Sequence, residues 1–252
     1  MNIHISQTPQ DLGKAAGSAA AQIIHEVIVA NGTVNIILAT GSSQFETINQ
    51  LISQKNIDWS KVVMFHLDEY IGLPVAHGAG FRKYLQERFI SKVPSLKAFY
   101  LIKGETDAQQ ECDRLGKLIT DHPIDVALVG IGENGHLAFN DPPADFETEE
   151  PYIIVKLDEA CRRQQLGEGW FHSFEEVPRS AISMSIKQIL KSKHIICSVP
   201  DARKAIAVKN CVGQPVSNLY PAGILQLHAN CTLYLDKFSA ALIPENILLQ
   251  IV

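Results

Sequence analysis

Thr33-Val34-Asn35-Ile36-Ile37-Leu38-Ala39 runs directly into Thr40-Gly41-Ser42-Ser43, and this passage decides the fold. The first seven residues are short, rich in β-branched side chains and apolar without strict alternation, the mark of a strand buried on both faces. The small polar turn then gives way to a helical pattern from Phe45 to about Ser53. Upstream, Thr8-Pro9-Gln10-Asp11 reads as an N-cap, a proline at the first helical position and an early acid. The helix it opens runs through an alanine-rich stretch to about Ala30, where Asn31-Gly32 stops it.

The alternation continues downstream. Strands are expected over Val62 to Leu67, Ala98 to Ile102, Asp125 to Ile131, Tyr152 to Lys156, Ala181 to Ser185, His194 to Val199 and Cys231 to Leu235. Helices are expected over about Phe81 to Ile90, Ala108 to Ile119 and Ala202 to Val212. Strands alternating with helices imply right-handed crossovers, hence an α/β fold with a mostly parallel, Rossmann-like sheet and helices on both faces. No internal repeat, low-complexity tract or Pro/Gly/Ser-rich linker interrupts the pattern, so residues 1–252 are expected to form a single domain. In open sheets of this kind, ligands bind beyond the carboxyl ends of strands, so the informative residues lie just after them.

Composition narrows the chemistry. Of 252 residues, 46% are hydrophobic and 19% charged, enough to bury a sizeable core. A formal net charge of −5 argues against a nucleic-acid partner, whose footprint is a basic face. A phosphate ligand would then need local positive potential. The five cysteines, Cys112, Cys161, Cys197, Cys211 and Cys231, are scattered without a CxxC pair, which argues against a disulfide framework and against structural zinc. Met1-Asn2-Ile3-His4 lacks the pattern of a signal peptide, and no apolar run approaches the ~20 residues needed to span a bilayer. A soluble cytoplasmic protein without a membrane partner is expected.

Three clusters follow strands. The first is Thr40-Gly41-Ser42-Ser43, where glycine allows a tight turn and close approach to an anion, and the helix start offers free N–H groups and hydroxyls to a phosphate. Taken alone it is equally an ordinary strand–helix turn with a serine cap. The second is Phe65-His66-Leu67-Asp68-Glu69-Tyr70-Ile71-Gly72, an apolar strand running into paired acids. A partly desolvated carboxylate there can take a proton from a carbon next to a carbonyl, although an isolated pair is more commonly a solvated loop. His66 fits a strand histidine, since no second cluster supports a metal at His66-x-Asp68.

The third cluster is Gly130-Ile131-Gly132-Glu133-Asn134-Gly135-His136-Leu137-Ala138-Phe139-Asn140-Asp141-Pro142-Pro143. It contains GxGxxG, but a dinucleotide site needs a helix opening at the third glycine, and two prolines close by prevent one. What remains is a glycine-rich turn presenting Asn134 and His136, the latter suited to proton transfer near neutral pH. Separately, Lys204 lies in the first turn of a helix, against the macrodipole unless an anion sits nearby; read alone, it fits a solvated surface lysine.

Together these clusters resemble the glucosamine-6-phosphate deaminase family, within the larger group that also holds 6-phosphogluconolactonases. The resemblance runs from about Val34 to Leu242 and is strongest at Leu38 to Ser42, Leu67 to Leu73, Gly130 to Asn140 and around Lys204. Asp-Glu-Tyr followed by Gly, and His-x-Ala-Phe-Asn, look like the deaminase branch rather than the lactonase branch. The resemblance implies that Asp68 moves a proton between C2 and C1 of the sugar. It implies that His136 opens the pyranose ring, oriented by Asp141 and accompanied by Asn134. Thr40, Gly41, Ser42, Ser43, Glu69, Gly132 and Lys204 would bind the substrate and its phosphate. The implied reaction converts glucosamine or galactosamine 6-phosphate to a ketose 6-phosphate and ammonia, with no metal or organic cofactor. Its partner is the small-molecule amino-sugar phosphate, in assemblies that range across the family from monomers to homo-hexamers. The alternatives are a lactonase-like hydrolase and a non-catalytic sugar-phosphate sensor.

The chain departs from the family in three places. Asn134 stands where Asp is common, and Asp141 where Glu is common. No Arg stands at Glu168 or Gly169, where studied members place a phosphate-binding Arg before an aromatic pair; Arg162 or Arg163 is the expected substitute. Residues 144–152 also lack the Ser and Arg that bind an allosteric activator in some hexameric members. Activation by N-acetylglucosamine 6-phosphate is therefore not expected, and a sigmoidal rate curve made hyperbolic by that compound would refute this.

Overall fold

The computed structural model describes residues 1–93 and 95–248. In chain order the first half comprises β1 (Asn2–Ser6), α1 (Pro9–Asn31), β2 (Val34–Leu38), α2 (Phe45–Ser53), β3 (Val62–His66), β4 (Asp68–Tyr70), α3 (Phe81–Arg88), β5 (Ala98–Tyr100), α4 (Ala108–Thr120) and β6 (Val126–Val129). The second comprises β7 (Tyr152–Lys156), α5 (Glu159–Gly167), β8 (Ser180–Met184), α6 (Ile186–Leu190), β9 (His194–Val199), α7 (Ala205–Gly213), β10 (Cys231–Asp236) and α8 (Glu245–Leu248).

Seven strands form one sheet in the order β1-β10-β9-β6-β2-β3-β5, every pair parallel. From β2 the chain winds outward through β3 and β5, then returns past β2 to β6 and winds the other way. The direction therefore reverses between β2 and β6, and the crevice at their carboxyl ends is where such sheets take ligands. β2 is buried on both faces as its composition implies: Ile36 and Leu38 enter one core, Ile37 and Ala39 the other. Removing such a side chain costs about 2–5 kcal/mol when the cavity cannot collapse.

Tyr152 to Lys156 and Ala181 to Ser185 are strands, but not of the parallel sheet. β4, β8 and β7 make a separate three-stranded antiparallel sheet. The reason lies at Leu67, where the chain leaves β3 and restarts as β4, pairing Asp68 with Ser183 and Tyr70 with Ala181. A small core around Tyr70, Phe81, Phe139 and Phe171 packs beside it.

α1 begins and ends on the signals in its sequence. The Thr8 hydroxyl accepts the Asp11 N–H at 3.1 Å, and Gly32, at φ +75°, donates its N–H to Ile28 O at 2.8 Å. The helix meets α2 through glycines: a Cβ at Gly13 would lie 2.2 Å from Glu46 Cβ, and one at Gly17 would lie 2.6 Å from Thr47 O. Only the bare backbone permits this approach, and it fixes the helix that carries the Thr40–Ser43 turn. No helix among the described residues is long and apolar enough to cross a membrane.

Candidate active site

A cavity of about 300 Å³ opens at the reversal point. Thr40, Gly41, Ser42, Ser43, Asp68, Gly132, His136 and Lys204 all line it, from four separate stretches of chain. Asn134 and Asp141 stand behind His136. Glu69 does not line it.

The anion end is built from β2 and α2. Gly41 sits at φ +91°, a conformation open to glycine without strain, and Ser42–Gln44 form a 3-10 turn leading into α2. No side chain caps either the turn or α2, so the leading N–H groups remain available to an anion. Buried Gln44 fastens the turn from below: its amide donates to Val129 O at 3.3 Å and Ser198 O at 3.4 Å, tying β2 to β6 and β9. Facing this turn is Lys204, only 5% exposed. Its backbone N–H donates to Asp201 O at 3.1 Å, but its ammonium makes no hydrogen bond or ion pair with any described residue. Burial lowers its pKa, while the charges of Glu168 and Glu133 act the other way. A buried ammonium without a contact partner is costly and marks a place for an anion.

The acid end is built from β4. Strand alternation turns Asp68 into the cavity and Glu69 away from it. Asp68 is 7% exposed, and no described residue hydrogen-bonds to its carboxylate. Burial, and then the neighbouring charge of Glu69, push its pKa up to about 8. Glu69 accepts N–H bonds from Tyr70, Phe81 and Arg82 at 2.9, 3.2 and 2.7 Å. It is therefore the cap of α3 rather than the substrate-binding group expected from the sequence. The buried His66 lies in β3, accepting the Ile102 N–H at 3.4 Å; burial lowers its pKa to about 3, so it stays neutral.

The imidazole of His136 rests on Gly132, where a Cβ would sit 2.3 Å from its Nε2 and Cε1. Gly132 is thus required by the ring, apart from any contact with a ligand. His136 Nδ1 meets Asp141 Oδ1 at 3.1 Å. Burial alone would raise the Asp141 carboxyl, but bonds from His136, Asn134 and the Asp158 backbone hold it below its ordinary value. Asn134 explains its own departure: its amide donates to Asp141 at 2.9 Å and to Asp158 at 3.1 Å, and its oxygen accepts the His136 N–H at 3.0 Å. An aspartate could not donate, and would add a third carboxylate to this group. No helix follows the glycine-rich turn, as its prolines require. Asn140 instead ties the turn to β8 by donating to Met184 O at 2.9 Å.

His136, Asp141 and Cys161 each bring one metal-capable atom within 4.8 Å of the others. Burial, with Asp141 and Asp158 close by, pushes the Cys161 thiol well above its ordinary value, so it stays protonated; both Asp141 oxygens already accept hydrogen bonds. The group fits a hydrogen-bonded support for the imidazole better than a ligand set.

Neither expected substitute for the arginine reaches the cavity. Arg162 is buried with its guanidinium donating to Phe174 O and Val177 O, and Arg163 lies at the surface against Glu159. The arginine that lines the cavity is Arg203, beside Lys204, paired with Asp201 at 3.0 Å and Glu133 at 3.5 Å. Sequence reasoning passed over it, and also over Asp158, whose place before Glu159-Ala160-Cys161 is an N-cap signal borne out by its acceptance of the Cys161 N–H.

A family model described as glucosamine-6-phosphate isomerases/6-phosphogluconolactonase matches residues 7–234. A glucosamine-6-phosphate deaminase of Lactobacillus delbrueckii subsp. bulgaricus is 34% identical over 246 residues, covering 96% of this chain and 100% of that one. One of Streptococcus pneumoniae is 35% identical over 230 residues, covering 91% of this chain and 95% of that one. A solved monomeric glucosamine-6-phosphate deaminase superimposes with a TM-score of 0.86 at 30% identity, over 96% of this chain and 100% of that one. A parallel sheet with an acid, a supported imidazole and a buried lysine around its reversal point thus coincides with close likeness along nearly the whole chain, and the protein belongs to the glucosamine-6-phosphate isomerase/6-phosphogluconolactonase family.

Proposed function

We propose that this protein isomerises and deaminates an amino-sugar 6-phosphate, of the glucosamine or galactosamine type, to a ketose 6-phosphate and ammonia. The observation that carries the reading is one cavity lined by a supported imidazole and by a carboxylate and a buried ammonium to which no described residue bonds. The phosphate sits at the α2 start and Lys204, holding the reacting carbons toward Asp68. His136, oriented by Asp141, passes a proton to the ring oxygen as the C1 hydroxyl gives one up, opening the pyranose to the aldehyde. Asp68 takes the C2 proton, leaving an enolamine, and returns it to C1. Water then adds to the resulting C2 imine and ammonia leaves.

Asp68 must be ionised for this step. Before substrate binds, its pKa of about 8 keeps it largely protonated at neutral pH, and the substrate's ammonium beside it then favours the carboxylate. The reading requires no partner beyond the small-molecule substrate. Because a phosphorylated sugar does not cross a bilayer unaided, it places the reaction in the cytoplasm. The test is an assay for ammonia and ketose phosphate across a panel of amino-sugar 6-phosphates, with Asp68→Asn binding substrate but not turning it over. Turnover like that of the parent protein in the variant removes Asp68 as the base.

A further inference from the structure

The anion end of the cavity contains a carboxylate of its own. Glu168, at the end of α5, lines the cavity opposite the Thr40–Ser43 turn. It is held from two sides. Oε2 accepts from the Ser42 hydroxyl at 3.4 Å and the Trp170 indole N–H at 3.2 Å, and Oε1 accepts from the Gln164 amide at 2.9 Å. Its charge acts on both Lys204 and Arg203. Arg203 is already neutralised by Asp201 and Glu133, so Lys204 is the cavity-lining cation left without a contact partner among the described residues. An arriving phosphate must therefore share one ammonium and one serine hydroxyl with a fixed carboxylate.

We propose that Glu168 is a specificity-determining residue of the anion seat, which makes the site poor for free oxyanions and selective for a phosphate borne on a polyhydroxy chain. The inference rests on the reading that the seat takes the sugar's phosphate. A free anion meets the repulsion of Glu168 and offers it nothing in return. A sugar phosphate draws the Ser42 hydroxyl to itself and presents a sugar hydroxyl that donates to the oxygen of Glu168 thereby released, so every donor and acceptor stays paired. Discrimination of this kind comes from the unfavourable contact with the wrong ligand as much as from the good one with the right ligand.

Calorimetric titration of the whole protein with sulfate, with inorganic phosphate and with a ring-opened amino-sugar alcohol 6-phosphate tests this without turnover. Glu168→Gln keeps the shape and removes the charge, and should tighten sulfate and inorganic phosphate by about tenfold or more. The sugar phosphate should gain far less, so that its preference over sulfate falls by a similar factor. Glu168→Ala should tighten the free anions likewise and weaken the sugar phosphate. Unchanged sulfate affinity in Glu168→Gln overturns the proposal, as does equal tightening of all three ligands. Lys204→Met separates this from the reading beneath it: loss of all three ligands keeps the seat where it is placed, whereas unchanged sulfate-displaceable sugar phosphate binding overturns both.

Discussion

Replacing Asp68 by asparagine should abolish turnover and make the fold more stable, increasingly so as pH rises. The carboxyl moves from 3.8 to about 8 on folding, with burial as the main cause and Glu69 second. At about 1.4 kcal/mol per unit, that displacement is at most on the order of 6 kcal/mol of penalty for holding the group ionised beside a second carboxyl. The sign follows from proton counting. Between pH 3.8 and about 8 the folded protein keeps a proton that the unfolded chain releases, so stability falls as pH rises through this window and levels off above it. Asparagine keeps the size and polarity without the charge, and should recover on the order of 2–4 kcal/mol at pH 9, or roughly 5–10 °C in Tm. Near pH 4 the two proteins should unfold together. The assay is urea unfolding of both proteins from pH 4 to pH 9, with ammonia release measured on the same samples. A stability difference that does not grow with pH refutes the burial argument. A variant less stable than the parent at pH 9 would mean that the carboxylate has a partner that the cavity geometry does not reveal.

Other substitutions probe the remaining parts. In the free enzyme kcat/KM should rise with pH toward a plateau above about 8, because the ionised Asp68 is the competent form; a pH–rate profile flat from 6 to 9 would contradict it. Gly132→Ala places a methyl 2.3 Å from the His136 ring, and the displaced imidazole should lower kcat by about a hundredfold with little change in KM, as steady-state kinetics would show. Asn134→Asp removes the donor to Asp141 and Asp158 and sets a like charge about 3 Å from both. It should cost about 1–3 kcal/mol in thermal unfolding at pH 7 and lower kcat, with both effects easing as pH falls.

Much of this was legible in the sequence because the signals are local. The apolar run of β2, the Thr8-Pro9 start and Gly32 stop of α1, and the prolines after the glycine-rich turn each act within a few residues, and each stands where it was read. The antiparallel sheet was not legible as such. β7 starts at buried Tyr152 and then alternates part-buried Ile153 and Val155 with exposed Ile154 and Lys156, a half-covered strand, but β4 is a buried strand made of Asp-Glu-Tyr, which no hydrophobic pattern announces. β1 and α5 were missed for related reasons, one a short edge strand and the other a helix of mostly polar residues. At the site, Thr40–Ser43, Asp68, Gly132 and His136 follow strand ends, and that position marked them as candidates; their roles, and that of Lys204, came from the resemblance. Glu69 could not be placed that way, since its partners are the first N–H groups of α3, twelve and thirteen residues on. Arg162 lies near the cavity in sequence, but the turn of α5 sends its guanidinium to Phe174 and Val177. Arg203 needed the fold to bring it round.

The most direct test follows the hydrogen on C2. With an amino-sugar 6-phosphate in deuterium oxide, the protein should release ammonia and a ketose phosphate that carries solvent deuterium at C1 in part of the product, and Asp68→Asn should yield neither. Ammonia released with no trace of solvent label under any condition, or hydrolysis of a sugar lactone with no exchange at C2, would contradict proton transfer by a carboxylate in this cavity.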